Sequence, residues 1–171
     1  MRNIVIAFGL TAILAASWAS GRAGPAPEEP PILAIAAIRN GISQILVVDA
    51  KGKIIAEPTY TGGAHSPSWS PDGKQILFTN RADDGSMHVF VVNTDGQGLQ
   101  KITDETGWNV WPTWSPDGRY IAYANYSAQP GRPGSEHGRL AIRDLIEDTP
   151  TPAALSELQC GARPAWKPKK R

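Results

Sequence analysis

From Ile32 onward, apolar residues fall in short runs set off by Gly, Pro, Asp and Asn, and no stretch keeps the rhythm of a long amphipathic helix. ILAIAAI (32–38) and QILVVDA (44–50) are two such runs, and the Asn40-Gly41 pair between them is a strong hairpin signal. AKGK then turns into KIIAEPTY. The next stretch opens a short strand at Pro67 and Trp69, turns through Ser-Pro-Asp-Gly, and continues as KQILFTN, MHVFVVN and GLQKIT with RADDGS and TDGQ as turns. A third stretch follows the same plan. PTWSPDG leads to RYIAYAN, a Gly/Pro-rich loop follows (YSAQPGRPGSEHG), then RLAIRDL. Its closing part, EDTPTPAALSEL, is poorly patterned and is compatible with a helical turn. The pattern predicts an all-β chain of short antiparallel strands.

Two stretches nearly coincide: SPSWSPDGKQILFTN and WPTWSPDGRYIAYAN, with Trp69 and Trp114 spaced 45 residues apart. Pro presets the backbone for the second turn position, Asp accepts neighbouring amides, and Gly takes the left-handed conformation. Asp72, Gly73, Asp117 and Gly118 are therefore turn residues. A four-strand repeat of about 40–45 residues is the signature of a β-propeller blade. No blade buries both faces alone, so a Trp in each repeat (Trp69, Trp114 and Trp166) reads as a packing residue between neighbouring sheets.

Composition adds a compartment. The 171 residues are 41% hydrophobic and 19% charged, an ordinary globular balance, and the net charge of +1 offers no general attraction for nucleic acid or anionic lipid. At the N-terminus Arg2 precedes an apolar stretch from Ile4 to Ala16, followed by small residues at Ser17 and Ala19. This reads as a secretory signal peptide over 1–19, too short to span a bilayer comfortably, with an uncleaved anchor as the alternative. Residues 20–31 (SGRAGPAPEEPP) read as a Pro-rich linker. The expected location is periplasmic or secreted. Cys160 is the one cysteine and has no intrachain partner.

The two Pro-x-Trp-Ser-Pro-Asp-Gly copies, each with downstream text like VFVVNTDGQGLQKIT, resemble the TolB-type (WD40-like) propeller repeat over roughly residues 32–171, with a degenerate third copy at 163–168. The resemblance implies a propeller that is six-bladed in that family and commonly periplasmic. The TolB protein itself binds a peptidoglycan-associated lipoprotein, and similar repeats form non-catalytic propellers of some peptidases and of sugar-processing lyases. A departure is plain: TolB carries an α/β domain ahead of its propeller, where this sequence has only the linker. No partner-contact residue carries over from the motifs.

Counting strands gives about three blades. Residues 32–61 supply three strands without a leading Pro-x-Trp strand, 66–103 and 112 to about 155 supply full sets, and RPAWKP supplies a leading strand alone. Three blades are too few for a ring, so the expectation is a homodimer completing a six-bladed propeller, with a larger assembly or a fragment as alternatives.

Loops entering the innermost strands line the mouth of a propeller's channel. Here they are TGGAHS (61–66), TGWNVW (106–111) and LQCGAR (158–163), which nominate His65, Trp108, Asn109, Trp111 and Arg163 for a peptide end, a carboxylate or a sugar. The expected function is an exported, non-catalytic scaffold binding an envelope protein or peptide. The alternative is a lyase or hydrolase acting on oligosaccharide or peptide, its site formed on assembly. The sequence names no catalytic residue, metal ligand or cofactor. His65, His88 and His137 are scattered without metal spacing, there is no Gly-x-Ser-x-Gly elbow or phosphate loop, and RADDGS is too short for a calcium loop.

Overall fold

Strand residues and turn residues alternate in the fold as they do in the sequence. The computed structural model describes residues 32–59, 62–104, 107–126, 138–147, 159–160 and 162–168. The expected signal peptide and linker, residues 127–137 of the expected Gly/Pro-rich loop and the segment 148–158 lie outside the described residues, as does the side chain of Cys160. Among the described residues there are eleven strands and no helix.

The first group comprises β1 (Ile32–Arg39), β2 (Ile42–Asp49) and β3 (Ile54–Ala56), in the order β1-β2-β3. The β1–β2 hairpin turns on Asn40 and Gly41, both at positive φ (51° and 78°), the mirror-image turn whose twist matches the strands. The second group contains β4 (His65–Trp69), β5 (Gln75–Arg81), β6 (Met87–Asn93) and β7 (Gln100–Lys101). The third contains β8 (Trp108–Trp114), β9 (Tyr120–Tyr126), β10 (Gly138–Asp144) and β11 (Gln159–Cys160). Within each group neighbouring strands are antiparallel, and one parallel bridge, Met87 to Trp108, joins the second group to the third.

Two features differ from the sequence reading. The fourth strand of the third group is β11, inside what reads as the channel loop LQCGAR; two residues are too few to show an alternating pattern. RPAWKP, expected as a leading strand, carries no strand and pairs with no other described strand. Its Trp nevertheless seats. The Trp166 indole donates from Nε1 to the Thr113 carbonyl at 3.3 Å and stacks on Tyr120 with ring centroids 6.4 Å apart.

The repeated turns match bond for bond. Ser70 donates its hydroxyl to Asp72 Oδ1 at 2.6 Å and accepts from the Gln75 amide at 2.9 Å, while Asp72 also accepts from the Lys74 amide at 3.1 Å. Ser115, Asp117, Arg119 and Tyr120 repeat this at 2.5, 3.0 and 2.9 Å. Gly73 and Gly118 take φ of 71° and 75°, which the turns require. A second device also repeats. Buried Thr59 accepts from the Ile45 amide at 2.8 Å, and buried Thr103 accepts from the Val89 amide at 3.0 Å. Each threonine satisfies a strand amide that the short outer strand does not reach.

The core lies between the groups. Ile45 and Val47 of the first meet Ala64, Ile76, Phe78 and Val92 of the second, with Trp69 packed against them. Leu77, Val89 and Val91 of the second meet Ile121, Tyr123 and Ala141 of the third, with Trp114 alongside. β5 and β6 of the second group thus bury both faces, one toward each neighbour, which is how stacked blades form a core.

An ion-pair cluster locks the outer side of the third group. Arg119 donates from Nε to Asp144 Oδ2 at 2.8 Å, reaches Glu147 at 2.9 Å, and lies 5.0 Å over the Tyr120 ring. The Arg119 bond, with help from the Ile146 and Glu147 amides, lowers the Asp144 pKa to about 2, against the expense of burial. Asp72 and Asp84 are also pulled below the usual range, each chiefly by a serine hydroxyl. A depressed folded pKa contributes stability that is fully present above the unfolded value and is lost as pH falls through the folded one. The denaturant midpoint should therefore hold constant from pH 7 to 5 and fall between about pH 4 and 2. Asp144→Asn should flatten that fall; a midpoint indifferent to acid would contradict this account.

Candidate functional site

At the end of the groups where the chain enters β4 and β8, a cavity of about 610 Å³ opens between the second and third groups. Its lining is Gly63, His65, Arg81, Met87, Trp108, Val110, Trp111 and Tyr126, so its walls are mainly apolar and aromatic. Six of these are three pairs of repeat equivalents at the 45-residue spacing: Gly63 with Trp108, His65 with Val110, and Arg81 with Tyr126.

The local backbone explains how three aromatic rings converge. β8 bulges between Val110 and Thr113, and Trp111 there has φ of 58°. A bulge places consecutive side chains on one face, so Val110 and Trp111 both reach the cavity. β4 has the same bulge between His65 and Ser68, with Ser66 at φ 54°. Positive φ in a bulky residue such as Trp111 is an uncommon, strained conformation. Trp111 meets Tyr126 edge-on, centroids 5.9 Å apart. Tyr126 lies there because residue 138 is glycine: a Cβ on Gly138 would fall 2.8 Å from the Tyr126 ring. Gly63 has φ of 91°, and a Cβ on it would lie 3.1 Å from the Arg81 Cβ.

The polar content is small and chemically distinct. His65 is half-buried, its Nδ1 is 3.0 Å from the Ser66 hydroxyl, and burial lowers its pKa, so it is neutral at pH 7. Arg81 is exposed at the rim and brings a cation. Trp108 is half-exposed. An apolar pocket with a neutral imidazole and one guanidinium suits an apolar or aromatic side chain beside an acidic group.

Of the residues nominated by sequence, His65, Trp108 and Trp111 come together in the cavity. Asn109 does not line it. Asn109 is completely buried, donates from Nδ2 to the Met87 carbonyl at 3.2 Å and accepts from Asn125 at 2.7 Å, pinning β8 to β6 and β9. Arg163 is also outside the lining: its Nη2 donates to the Pro67 carbonyl at 3.3 Å on β4. The sequence reading missed Arg81, Met87 and Tyr126, which sit at strand ends away from the repeated motif. The signal available was the repeat spacing, which relates Tyr126 to Arg81.

Among the described residues, no three His, Cys, Asp or Glu side chains gather as metal ligands, and no helix is long and apolar enough to cross a membrane.

Groups of antiparallel strands packed face to face around repeated Trp and Ser-Pro-Asp-Gly turns define a β-propeller protein. The model of the TolB β-propeller domain matches residues 25–171, and the chain belongs to that family. Among solved structures it is similar to the putative TolB from Agrobacterium tumefaciens, at 25% identity and a TM-score of 0.60, over 70% of this chain and 43% of that one. The tricorn protease matches at 15% identity and a TM-score of 0.53 over 70% of this chain and 11% of its own. A nidogen/laminin complex matches at 11% and 0.51, over 70% and 42%. These last two likenesses are of fold alone. The chain spans less than half the length of each of the three. Among curated proteins, none matches it.

Proposed function

We propose that this chain is an exported, non-catalytic TolB-type propeller scaffold that holds a protein or peptide partner of the cell envelope. The observation that carries the reading is the aromatic cavity between the second and third groups, with His65, Trp108, Trp111 and Tyr126 as ligand walls and Arg81 as the charged rim. Trp and Tyr supply large rigid contact area at low entropic cost, as peptide-binding surfaces require. Export to the periplasm or beyond rests on the signal-like stretch from Arg2 to Ala19 and on membership of the TolB family. The three strand groups act as three blades, and two copies of the chain form a six-bladed ring, which keeps the cavity beside a central channel.

The test is selection of a displayed heptapeptide library on the purified chain. Peptides pairing an aromatic or aliphatic residue with an acidic one should be enriched, and calorimetry should show Trp111→Ala weakening a selected peptide at least tenfold (about 1.4 kcal/mol). Arg81→Ala should weaken it less and make binding less salt-sensitive. Selected peptides that bind the Trp111→Ala and Trp108→Ala variants unchanged would remove the cavity from the reading. Turnover of peptides or oligosaccharides by the chain would move it to the enzyme class.

A further inference from the structure

We propose that the free edge of β1 pairs with residues 162–166 of a second copy of the chain, in a defined register. The inference rests on the paired-ring reading and states what holds the pair together.

β5 and β9 each carry an inner strand on one edge. Trp69 lies opposite Ile76 and Ser68 opposite Leu77; Trp114 lies opposite Ile121 and Thr113 opposite Ala122. β1 holds the same place in the first group. The repeated threonine bonds equate Ile45 with Val89. Val48 then corresponds to Val92, and Leu33, which faces Val48, corresponds to Ile76, which faces Val92. Among the described residues nothing pairs with the other edge of β1. The side chains show the same gap: Leu33 is 54% and Ile35 37% exposed, whereas their equivalents Ile76 and Phe78 are fully buried.

The missing piece is present elsewhere in the chain. Arg163-Pro164-Ala165-Trp166 repeats the Pro-x-Trp wording of β4 and β8 but forms no strand. It is seated on the third group through the Trp166–Thr113 bond and the Trp166–Tyr120 stack, and on β4 through the Arg163–Pro67 bond, and it pairs with no residue of the β1 in its own copy. Its own β1 is therefore not the edge it meets, and a second copy supplies one. Carrying the observed registers across places Trp166 opposite Leu33, Ala165 opposite Ala34, and Ala162 opposite Ala36. Each copy gives one segment and receives one, so a two-fold pair is self-complementary. Strand addition supplies main-chain hydrogen bonds and covers an edge that would otherwise invite aggregation.

Two versions of the full chain, each also Cys160→Ser, carry either Ala34→Cys or Ala165→Cys and are mixed under mild oxidation. Mass spectrometry should find the 34–165 disulfide at least tenfold above any 38–165 link in a control mixture using Ile38→Cys. Sedimentation should show a dimer whose Kd rises at least tenfold in Trp166→Ala. A dimer without the 34–165 link overturns the strand exchange and leaves the paired ring standing. A folded monomer, checked by circular dichroism, overturns both, and so does a linked mixture of masses beyond the dimer. A dimer unaffected by Trp166→Ala overturns the exchange.

Discussion

Phe78→Ala should cost about 3–5 kcal/mol, the range for deleting a buried aromatic ring, and should show as a large fall in denaturant midpoint. Phe78 has no solvent exposure, stacks on Phe90 at 5.8 Å, and belongs to the cluster that joins the first two groups. The hole it leaves is bounded by Ile45, Val47 and Val92 on β2 and β6, whose ladders to β1 and β5 keep them from collapsing into it. Single domains are stable by only about 5–15 kcal/mol, so this substitution removes much of the total. The same measurement on Leu33→Ala, an equivalent-facing but half-exposed position in the first group, should show a far smaller loss in the single chain. Equal losses at the two positions would mean that the first group's outer face is covered.

Asn109→Leu should destabilise by about 1–3 kcal/mol, because it strips the donor from the buried Met87 carbonyl, the range for a buried group left without that bond, and also removes the acceptor that the half-buried Asn125 amide uses. The shape of the residue is nearly kept, so the loss reports hydrogen bonding and not volume. Peptide binding should weaken along with stability, since Asn109 sits between Trp108 and Val110 and fixes their approach to the cavity. Asn109→Asp separates the two roles: it can still accept from Asn125 but cannot donate to Met87. Urea unfolding followed by tryptophan fluorescence reads both variants. Unchanged midpoints in both would show that the amide contributes nothing to the joint between β6 and β8.

The strands and turns were legible in the sequence because their signals are local. Ser70 and Ser115 build identical turns from four adjacent residues, and β6 coincides with MHVFVVN because its bounding turns carry Gly and Asp. Strand ends set by long-range pairing were less legible. β11 exists only through its pairing with Gly138 and Arg139, and RPAWKP has the words of a strand but pairs with none of the described strands. The site divides along the same line. His65, Trp108 and Trp111 could be named because they lie in the entry to a repeated motif. Asn109 could not be separated from them without the strand alternation that turns it inward between Trp108 and Val110. Arg81, Met87 and Tyr126 come from the ends of three other strands and meet only when two groups pack.

What the sequence by itself determined was the repeat, its turn chemistry, and hence the family and the kind of fold, since each depends on residues a few positions apart. What the tertiary structure decided was which side chains share a cavity and which edge stays open among the described residues. Those depend on a bulge at Trp111, a bare Cα at Gly138 and the packing of one group on the next. Such contacts join residues far apart in the chain, and no local preference encodes them.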